Sequence, residues 1–254
     1  MKSPRPRKRF GQHFLHDPSI IARIVAAIDP RPDERMVEIG PGRGALTEAL
    51  LARIPRLEAI EIDRDLAGEL RARFDSRLSV TEADVLDVDF TSLRGDGGPL
   101  RIVGNLPYNI STPLLFHLLA HRTAIRDMHF MLQKEVVDRM ASAPGPKAYG
   151  RLTVMLAPHV AVERLFSVAA GAFRPPPKVE SAVVRLVPLT SPPFDIGEPQ
   201  RFERVVRAAF AQRRKTLRNA LKGLVDEATF ARLGIDPGAR AERLTPAQFA
   251  ALAR

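Results

Sequence analysis

Four consecutive residues, Asn105, Leu106, Pro107 and Tyr108, could hold a planar amine and orient it for reaction. They follow an apolar run typical of a buried strand, which therefore ends in an amide, a proline and an aromatic ring. The amide oxygen of Asn105 can accept one N–H group, and the backbone carbonyls of Leu106 and Pro107 can accept another. The ring of Tyr108 can stack on a base, a contact worth about 1–3 kcal/mol. Asn and Pro are also common in ordinary turns, so the tetrapeptide alone does not decide its role.

An amine such as the exocyclic amine of adenine is a difficult nucleophile, because its lone pair is delocalised into the ring. Acceptors for both of its N–H groups can draw the nitrogen towards a tetrahedral form and aim the lone pair. Holding both reactants in line removes a further share of the barrier. The tetrapeptide therefore favours group transfer to an amine, without a strong general base if the proton leaves after attack.

A second group of candidate residues lies in a glycine-rich turn, VEIGPGRGALTEAL. Gly40, Gly42 and Gly44 stand between a predicted strand and a predicted helix, where glycines allow a sharp turn and close approach of a ligand. The spacing is G-x-G-x-G rather than the G-x-G-x-x-G of pyrophosphate binders, and Pro41 lacks an amide donor. The turn therefore favours a nucleoside ligand without a diphosphate.

Two carboxylates follow near the ends of the next two predicted strands. Glu61 could accept both ribose hydroxyls of a nucleoside, and Asp84 could accept from the exocyclic amine of its adenine. Because the carboxyl ends of parallel strands meet at one edge of a sheet, both acids should lie beside the glycine turn. Either acid could instead cap a helix, and Asp63 and Asp65 are equal candidates for the ribose.

These residues need a sheet that gathers several strand ends, and the hydrophobic pattern predicts one. Short apolar runs alternate with segments of helical spacing, which favours an α/β fold with a mostly parallel sheet and helices on both faces. Strands are predicted over residues 35–39, 56–63, 78–84, 100–105, 128–133 and 181–189. Helices are predicted over residues 17–28, 44–53, 64–74, 112–121, 134–140 and 149–156.

A segment rich in proline and turn formers, TSPPFDIGEP, predicts a domain boundary after the last of these strands. Beyond it, apolar residues recur at helical spacing from Phe202 to Leu224, which indicates a small all-α domain. The predicted organisation is a basic N-terminal segment (1–16), an α/β domain (17–190), a linker (191–199) and a helical domain (200–254).

The net charge of +10 is concentrated at the two ends of the chain. Residues 1–9 carry five cations and no acid, residues 200–254 have a net charge of +7, and the rest of the chain has a net charge of −2. Basic ends around a nearly neutral middle favour a polyanionic partner such as nucleic acid. A solvated surface in an Arg-rich protein would give the same count.

The C-terminal helical pattern predicts a cationic stripe on one helix face. Arg207, Arg214, Arg218 and Lys222 are separated by seven, four and four positions, so they would share one face of a helix that spans them. Because RNA duplexes are recognised mainly by shape and backbone, we expect this face and the N-terminal tail to contact RNA phosphates. The alternative is a face that only keeps the protein in solution.

Several classes of site and of location are not expected. The chain has no cysteine, which rules out disulfides and thiolate metal sites, and its six histidines show no metal-binding spacing. We expect no metal in the reaction. No apolar run is long enough for a membrane span, and no secretory signal is expected, so we expect a cytoplasmic protein without a membrane partner.

Five segments together resemble the ribosomal RNA adenine N6-dimethyltransferases: GQHFL (11–15), EIGPGRGALT (38–47), NLPYNISTP (105–113), LQKEV (132–136) and FRPPPKVESAVVR (173–185). The resemblance is strongest to the small-subunit enzymes, which dimethylate two adjacent adenosines near the 3′ end of 16S rRNA. It implies a Rossmann-like domain, S-adenosyl-L-methionine as donor with S-adenosyl-L-homocysteine as product, and a monomer that acts on 16S rRNA in the small ribosomal subunit.

The resemblance also assigns roles to individual residues. The implied catalytic residues are Asn105, Leu106, Pro107, Tyr108 and Phe173. The implied cofactor contacts are His13, Leu15, Gly40, Gly42, Glu61, Asp84 and Asn105. Phe173 would close the pocket over the target base, although the sequence also allows it as a core residue before a proline turn. His13 departs from the family pattern, which usually has Asn after Gly-Gln.

Three other functions compete with this interpretation. The related enzymes that modify large-subunit rRNA share the glycine turn and an N-x-P-Y site, but the long FRPPPKVES segment and the QRRKTLRN segment favour the small-subunit enzymes. DNA adenine methyltransferases usually have an acid as the first residue of the tetrapeptide. A non-enzymatic RNA-binding protein could keep the fold, but the intact turn, acids and tetrapeptide argue for catalysis.

Overall fold

Strands and helices alternate along the chain in this computed structural model, which describes residues 13–108 and 110–254. The strands are β1 (Phe14–Leu15), β2 (Arg35–Ile39), β3 (Leu57–Glu61), β4 (Leu78–Glu82), β5 (Leu100–Asn105), β6 (Ile125–Gln133), β7 (Val160–Val168), β8 (Phe173–Arg174) and β9 (Ser181–Pro188). The helices are α1 (Pro18–Ile28), α2 (Ala45–Leu51), α3 (Arg64–Phe74), α4 (Phe90–Arg94), α5 (Ser111–Ala120), α6 (Lys134–Met140), α7 (Arg151–Leu156), α8 (Pro199–Ala211), α9 (Leu217–Ala220), α10 (Glu227–Leu233) and α11 (Pro246–Leu252). Most of the predicted basic N-terminal segment lies outside the described residues.

Seven strands form one sheet in the order β4-β3-β2-β5-β6-β9-β7. The first five are parallel, and β9 is antiparallel to β6. Those five follow the 3-2-1-4-5 order of a Rossmann sheet when β2 is counted as the first strand, and the order reverses between β2 and β5. The predicted fold class, a mostly parallel Rossmann-like sheet, is confirmed. The point of reversal is where such sheets bind ligands, beyond the carboxyl ends of the strands.

The central strands are apolar because both of their faces are covered. In β5 every residue from Leu100 to Gly104 is buried, and in β2 the last four residues are buried. Parallel strands buried on both faces read as continuous apolar runs, which explains why these two strands were predictable from sequence. Side chains of α1 and α2, including Ile24, Val25 and Leu50, belong to the same hydrophobic core.

The strand β7 was not predicted. Its burial alternates irregularly, with exposed Glu163 and Arg164 in the middle of the run. It is the last strand in the sheet order, and charges on an edge strand protect it from pairing with another chain but hide its strand pattern. The short pair of β1 and β8 was also missed, because two-residue strands carry no periodic signal.

Contacts divide the described chain into two units. One comprises the residues up to Val137 with Glu163–Pro188, and the other comprises Asp138–Val162 with Leu189–Arg254. The change at residue 189 lies next to the predicted linker (191–199). Asp138–Val162 belongs to the unit of the C-terminal residues, whereas the prediction placed it in the domain of residues 17–190. The reason is packing, because Tyr149 is buried in the core of this second unit and its hydroxyl donates to the Leu244 carbonyl at 2.7 Å.

The prediction of a single helix through Arg207, Arg214, Arg218 and Lys222 is wrong. Helix α8 ends at Ala211 and α9 covers only Leu217–Ala220, so the four cations do not lie on one helix face. The cause is a competing set of backbone bonds. The N–H groups of residues 217 and 218 donate to the carbonyls of residues 239 and 237 at 2.8 and 2.9 Å, instead of continuing the helix.

Candidate active site

A cavity of about 260 Å³ opens where the carboxyl ends of β2, β3 and β5 meet. It brings together the predicted cofactor residues and the predicted tetrapeptide, although they are far apart in sequence. The predicted residues that line it are His13, Leu15, Gly40, Gly42, Glu61, Asp84, Asn105, Leu106, Pro107 and Tyr108. One cavity therefore presents both groups of candidate residues.

The glycine turn needs glycine for two different reasons. Gly40 has φ +64°, and a Cβ atom there would meet no atom within 4 Å, so the backbone borders open space. Gly44 has φ +76°, and a Cβ atom there would lie 2.8 Å from the ring of Phe74. The first position leaves room for a ligand against the backbone, and the second permits close packing of the turn against α3.

Glu61 connects the glycine turn to the end of β3. Its carboxylate is almost fully buried and accepts the Gly42 N–H at 3.1 Å and the Asp63 N–H at 2.9 Å. Burial raises the pKa of Glu61, and the two backbone bonds oppose this shift. Asp63 caps α3 by accepting the Asp65 N–H at 3.1 Å, and neither aspartate lines the cavity. The geometry therefore favours Glu61 over both as the ribose acceptor.

Asp84 is both a helix cap and a residue of the cavity wall. It caps the short helical turn Val85–Asp87 by accepting the Leu86 N–H at 3.0 Å, and it also lines the cavity. The strand before it ends at Glu82, two residues earlier than predicted. Asp84 is exposed, so its carboxylate has room for a further hydrogen bond.

A functional candidate that the sequence analysis missed is Glu38, on β2. It lines the cavity, is 2% exposed, and accepts the hydroxyl of Thr47 at 2.6 Å. The pKa of Glu38 is raised to about 7, mainly by burial; the Thr47 hydrogen bond lowers it and the nearby charge of Glu61 raises it. An acid inside an apolar strand, two residues before Gly40, was the signal that could have revealed it.

The side-chain amide of Asn105 is fixed by one hydrogen bond. Its Nδ2 donates to the carbonyl of His13 at 2.9 Å, and its Oδ1 is left as a possible acceptor. Within the described residues, no donor bonds to that oxygen. The use of this oxygen as an acceptor for the target amine stays a prediction.

The two backbone carbonyls of the tetrapeptide differ in their contacts. The carbonyl of Pro107 already accepts the Ile110 N–H at 3.3 Å and the Ser111 hydroxyl at 3.1 Å, at the start of α5. The Leu106 carbonyl has no donor among the residues that the structure describes. Leu106 is therefore the better backbone acceptor, and Pro107 serves the turn.

Tyr108 and His13 form one aromatic pair. Their rings are stacked with centroids 5.8 Å apart and planes 27° apart. The Tyr108 hydroxyl shares a hydrogen bond with the Ser181 hydroxyl at 2.8 Å, and His13 Nδ1 bonds to the Pro175 carbonyl at 2.8 Å. Burial raises the pKa of Tyr108, so the hydroxyl stays neutral at ordinary pH. The segment at His13 is thus part of the tetrapeptide's surroundings.

Phe173 does not lie where the resemblance implied. It is 2% exposed, belongs to the hydrophobic core with Leu15, and does not line the cavity. Its backbone pairs with Leu15 in the short ladder of β1 and β8. The structure shows the core position that the sequence also allowed.

The basic candidates of the second unit differ in their surroundings. The guanidinium of Arg218 bonds to both carboxylate oxygens of Glu227, at 2.6 and 3.1 Å, in an exposed pair. Arg214 lies in the turn between α8 and α9, and Lys222 follows α9. Counting charges in the sequence could not reveal the pairing of Arg218 with Glu227, because nine positions is not a spacing at which helical residues are neighbours.

The described residues form neither a metal site nor a membrane span. No group of three or more His, Asp or Glu side chains is placed to hold a metal ion, and no helix is long and apolar enough to cross a membrane.

Comparisons with known proteins agree over nearly the whole chain. A family model described as ribosomal RNA adenine dimethylase matches residues 4–254. Ribosomal RNA small subunit methyltransferase A of Pseudomonas aeruginosa is 55% identical over 251 residues, which cover 98% of this chain and 94% of the relative. The protein of that name from Methylococcus capsulatus is 57% identical, over 98% of this chain and 97% of the relative.

Two solved structures resemble this fold over most of their length. A dimethyladenosine transferase from Plasmodium falciparum superposes with a TM-score of 0.80 at 26% identity, covering 94% of this chain and 96% of the other. The 23S rRNA methyltransferase ErmE superposes with a TM-score of 0.73 at 29% identity, covering 94% and 98%.

Proposed function

The chain belongs to the ribosomal RNA adenine dimethylase family, and from this premise we propose that it methylates the N6 amines of two adjacent adenosines near the 3′ end of 16S rRNA. The donor is S-adenosyl-L-methionine, the product is S-adenosyl-L-homocysteine, and the substrate is the small ribosomal subunit. One observation carries the proposal: a single cavity is lined both by the residues predicted to bind a nucleoside and by Asn105 and Tyr108.

The residues of the cavity suit a nucleoside that carries a positive charge. Glu61 lies between the glycine turn and β3, where it would accept the ribose hydroxyls, and Asp84 would accept from the adenine amine. Glu38 supplies a second buried carboxylate, which would balance the cationic part of the donor. When bound, S-adenosyl-L-methionine supplies a methyl group on a sulfonium.

The tetrapeptide would hold the target adenine. Asn105 Oδ1 and the Leu106 carbonyl would accept the two N–H groups of the amine, and Tyr108 would stack on the ring. After attack the nitrogen carries a positive charge and releases a proton, so no strong general base is required. The contribution of the protein is orientation and exclusion of water, which can lower a barrier by several kcal/mol.

The small subunit is favoured over the large one as the substrate. The curated relatives at 55–57% identity are named small-subunit methyltransferases, whereas the 23S enzyme ErmE is 29% identical. The motifs FRPPPKVES and QRRKTLRN favour the same choice. A monomeric state, a reaction without metal and a cytoplasmic location stay predictions.

Cations of the second unit would dock the enzyme on rRNA. Arg207, Arg214 and Lys222 are the proposed phosphate contacts, together with Arg218. The exposed pair of Arg218 with Glu227 is worth at most about 1 kcal/mol, so a phosphate could replace the carboxylate.

Transfer of tritiated methyl groups to purified ribosomal subunits tests the proposal. We expect the wild-type protein to label the small subunit and not the large one, with the label in dimethyladenosine by mass spectrometry of 16S rRNA. N105A should abolish transfer and leave donor binding measurable, whereas E61A should weaken donor binding. Labelling of the large subunit alone, or transfer by N105A at the wild-type rate, would refute the assignment.

A further inference from the structure

A line of buried polar side chains runs along one face of the sheet towards Asn105. Adjacent strands β5 and β6 pair Arg101 with Asp127 and Asn105 with Met131. Because side chains alternate along a strand, Asp127, His129 and Met131 share a face, and their partners Arg101 and Asn105 share it too. His129 therefore lies on the face of Asn105, between it and the Arg101–Asp127 pair.

His129 is the unexplained member of this line. It is 3% exposed, and neither ring nitrogen has a hydrogen-bond partner among the described residues. Its Nδ1 lies 3.5 Å from Asp127 Oδ1, beyond ordinary hydrogen-bond distance, and the Asp127 carboxylate is held by Arg101 Nε at 3.0 and 3.2 Å. Burial of a polar ring without partners is unfavourable, so a role other than packing is indicated.

A second, small cavity connects His129 to Asn105. It has a volume of about 10 Å³ and is lined by both residues, by Gly104, and by apolar side chains that include Ile24 and Leu46. That volume is about what one water molecule needs, and a buried water needs polar partners. Asn105 also lines the large cavity, whereas His129 does not.

We propose that His129 is a positioning residue for Asn105 and acts through one water held in this small cavity. Nδ1–H faces the Asp127 carboxylate, which leaves Nε2 to accept from the water. The water in turn donates to Asn105 Oδ1, whose other lone pair remains for the target amine. With Nδ2 bonded to the His13 carbonyl, the amide is then held at both ends. This inference rests on the proposed role of Asn105 in the reaction.

Three substitutions separate this role from simple packing. H129Q places an amide near the position of Nε2, H129N keeps a polar atom only near the position of Nδ1, and H129L keeps neither. M128A is the matched control, because Met128 is a fully buried neighbour on the other face of β6. We expect H129L and H129N to lower kcat for small-subunit methylation by about 10–100-fold with little change in KM or in donor affinity. H129Q should restore kcat to within about 3-fold of the wild type.

The control and a second measurement make the result decisive. M128A should lower Tm at least as much as H129L but keep kcat. Hydrogen exchange of the Asn105 side-chain amide, observed by NMR without donor or RNA, should accelerate in H129L and not in M128A. If the wild type transfers methyl groups and N105A does not, the proposed function holds; an H129L variant with wild-type kcat and unchanged exchange would then overturn only the role of His129. Equal activity losses in H129Q and H129L would also overturn it.

Discussion

At the scale of single residues, two buried carboxylates dominate the electrostatics of the candidate site. Glu38 and Glu61 both line the cavity, and burial raises the pKa of each. Burial therefore disfavours the ionised form of each carboxylate, and a positively charged ligand should favour it. We therefore expect the site to bind a cationic nucleoside more strongly than a neutral one.

The buried Glu38 predicts a pH dependence of stability. Because folding raises the pKa of Glu38 from 4.5 to about 7, its stabilising contribution is fully present below pH 4.5 and is lost as pH rises through about 7. The loss is on the order of 3 kcal/mol, and Glu61 acts in the same direction. E38Q should flatten the decline, as measured by urea unfolding of the ligand-free protein between pH 5 and 8. A wild type and an E38Q variant with the same slope would contradict the burial argument.

Some roles at this scale follow from residue types and others need coordinates. Asn105 and Tyr108 were recognisable because an amide and an aromatic ring end an apolar run. Glu38 was not, since its importance lies in burial rather than in a motif. The preference for the Leu106 carbonyl over that of Pro107 depends on where the N–H of Ile110 points, which no residue pattern records.

At the scale of elements, the parallel strands were predictable and the irregular segments were not. The predicted bounds of α3, β5 and α6 match those of the structure, because continuous burial or amphipathic spacing runs through each. The edge strand β7 carries exposed charges. Helix α8 ends at Ala211, and the N–H groups of residues 217 and 218 donate to carbonyls of residues 239 and 237. Long-range hydrogen bonds of that kind leave no periodic signal.

The break between α8 and α9 changes the form of the RNA-binding prediction. We expect the cations Arg207, Arg214 and Lys222 to act as separate phosphate contacts instead of one stripe. R207Q, R214Q and K222Q should each weaken binding to the small subunit and reduce the slope of log K against log salt by about 1. R31Q, at an exposed position before the amino end of β2, is the control and should leave the slope unchanged. If binding were equally salt-dependent in all four variants and in the wild type, the three cations would not be phosphate contacts.

At the scale of the whole molecule, the distribution of charge agrees with separate places for catalysis and for RNA binding. The nearly neutral middle of the chain contains the cavity, and the basic C-terminal residues lie in the second unit. Because an RNA held by its backbone leaves its bases available, we expect one adenine to enter the cavity beside the donor.

The crystal structure of the protein with S-adenosyl-L-homocysteine tests the central claim most directly. The account predicts the ribose at Glu61, the adenine at Asp84 and the sulfur beside Asn105, with room for a purine at Tyr108. A ligand bound away from the cavity, or one whose sulfur lies remote from residues 105–108, would contradict it.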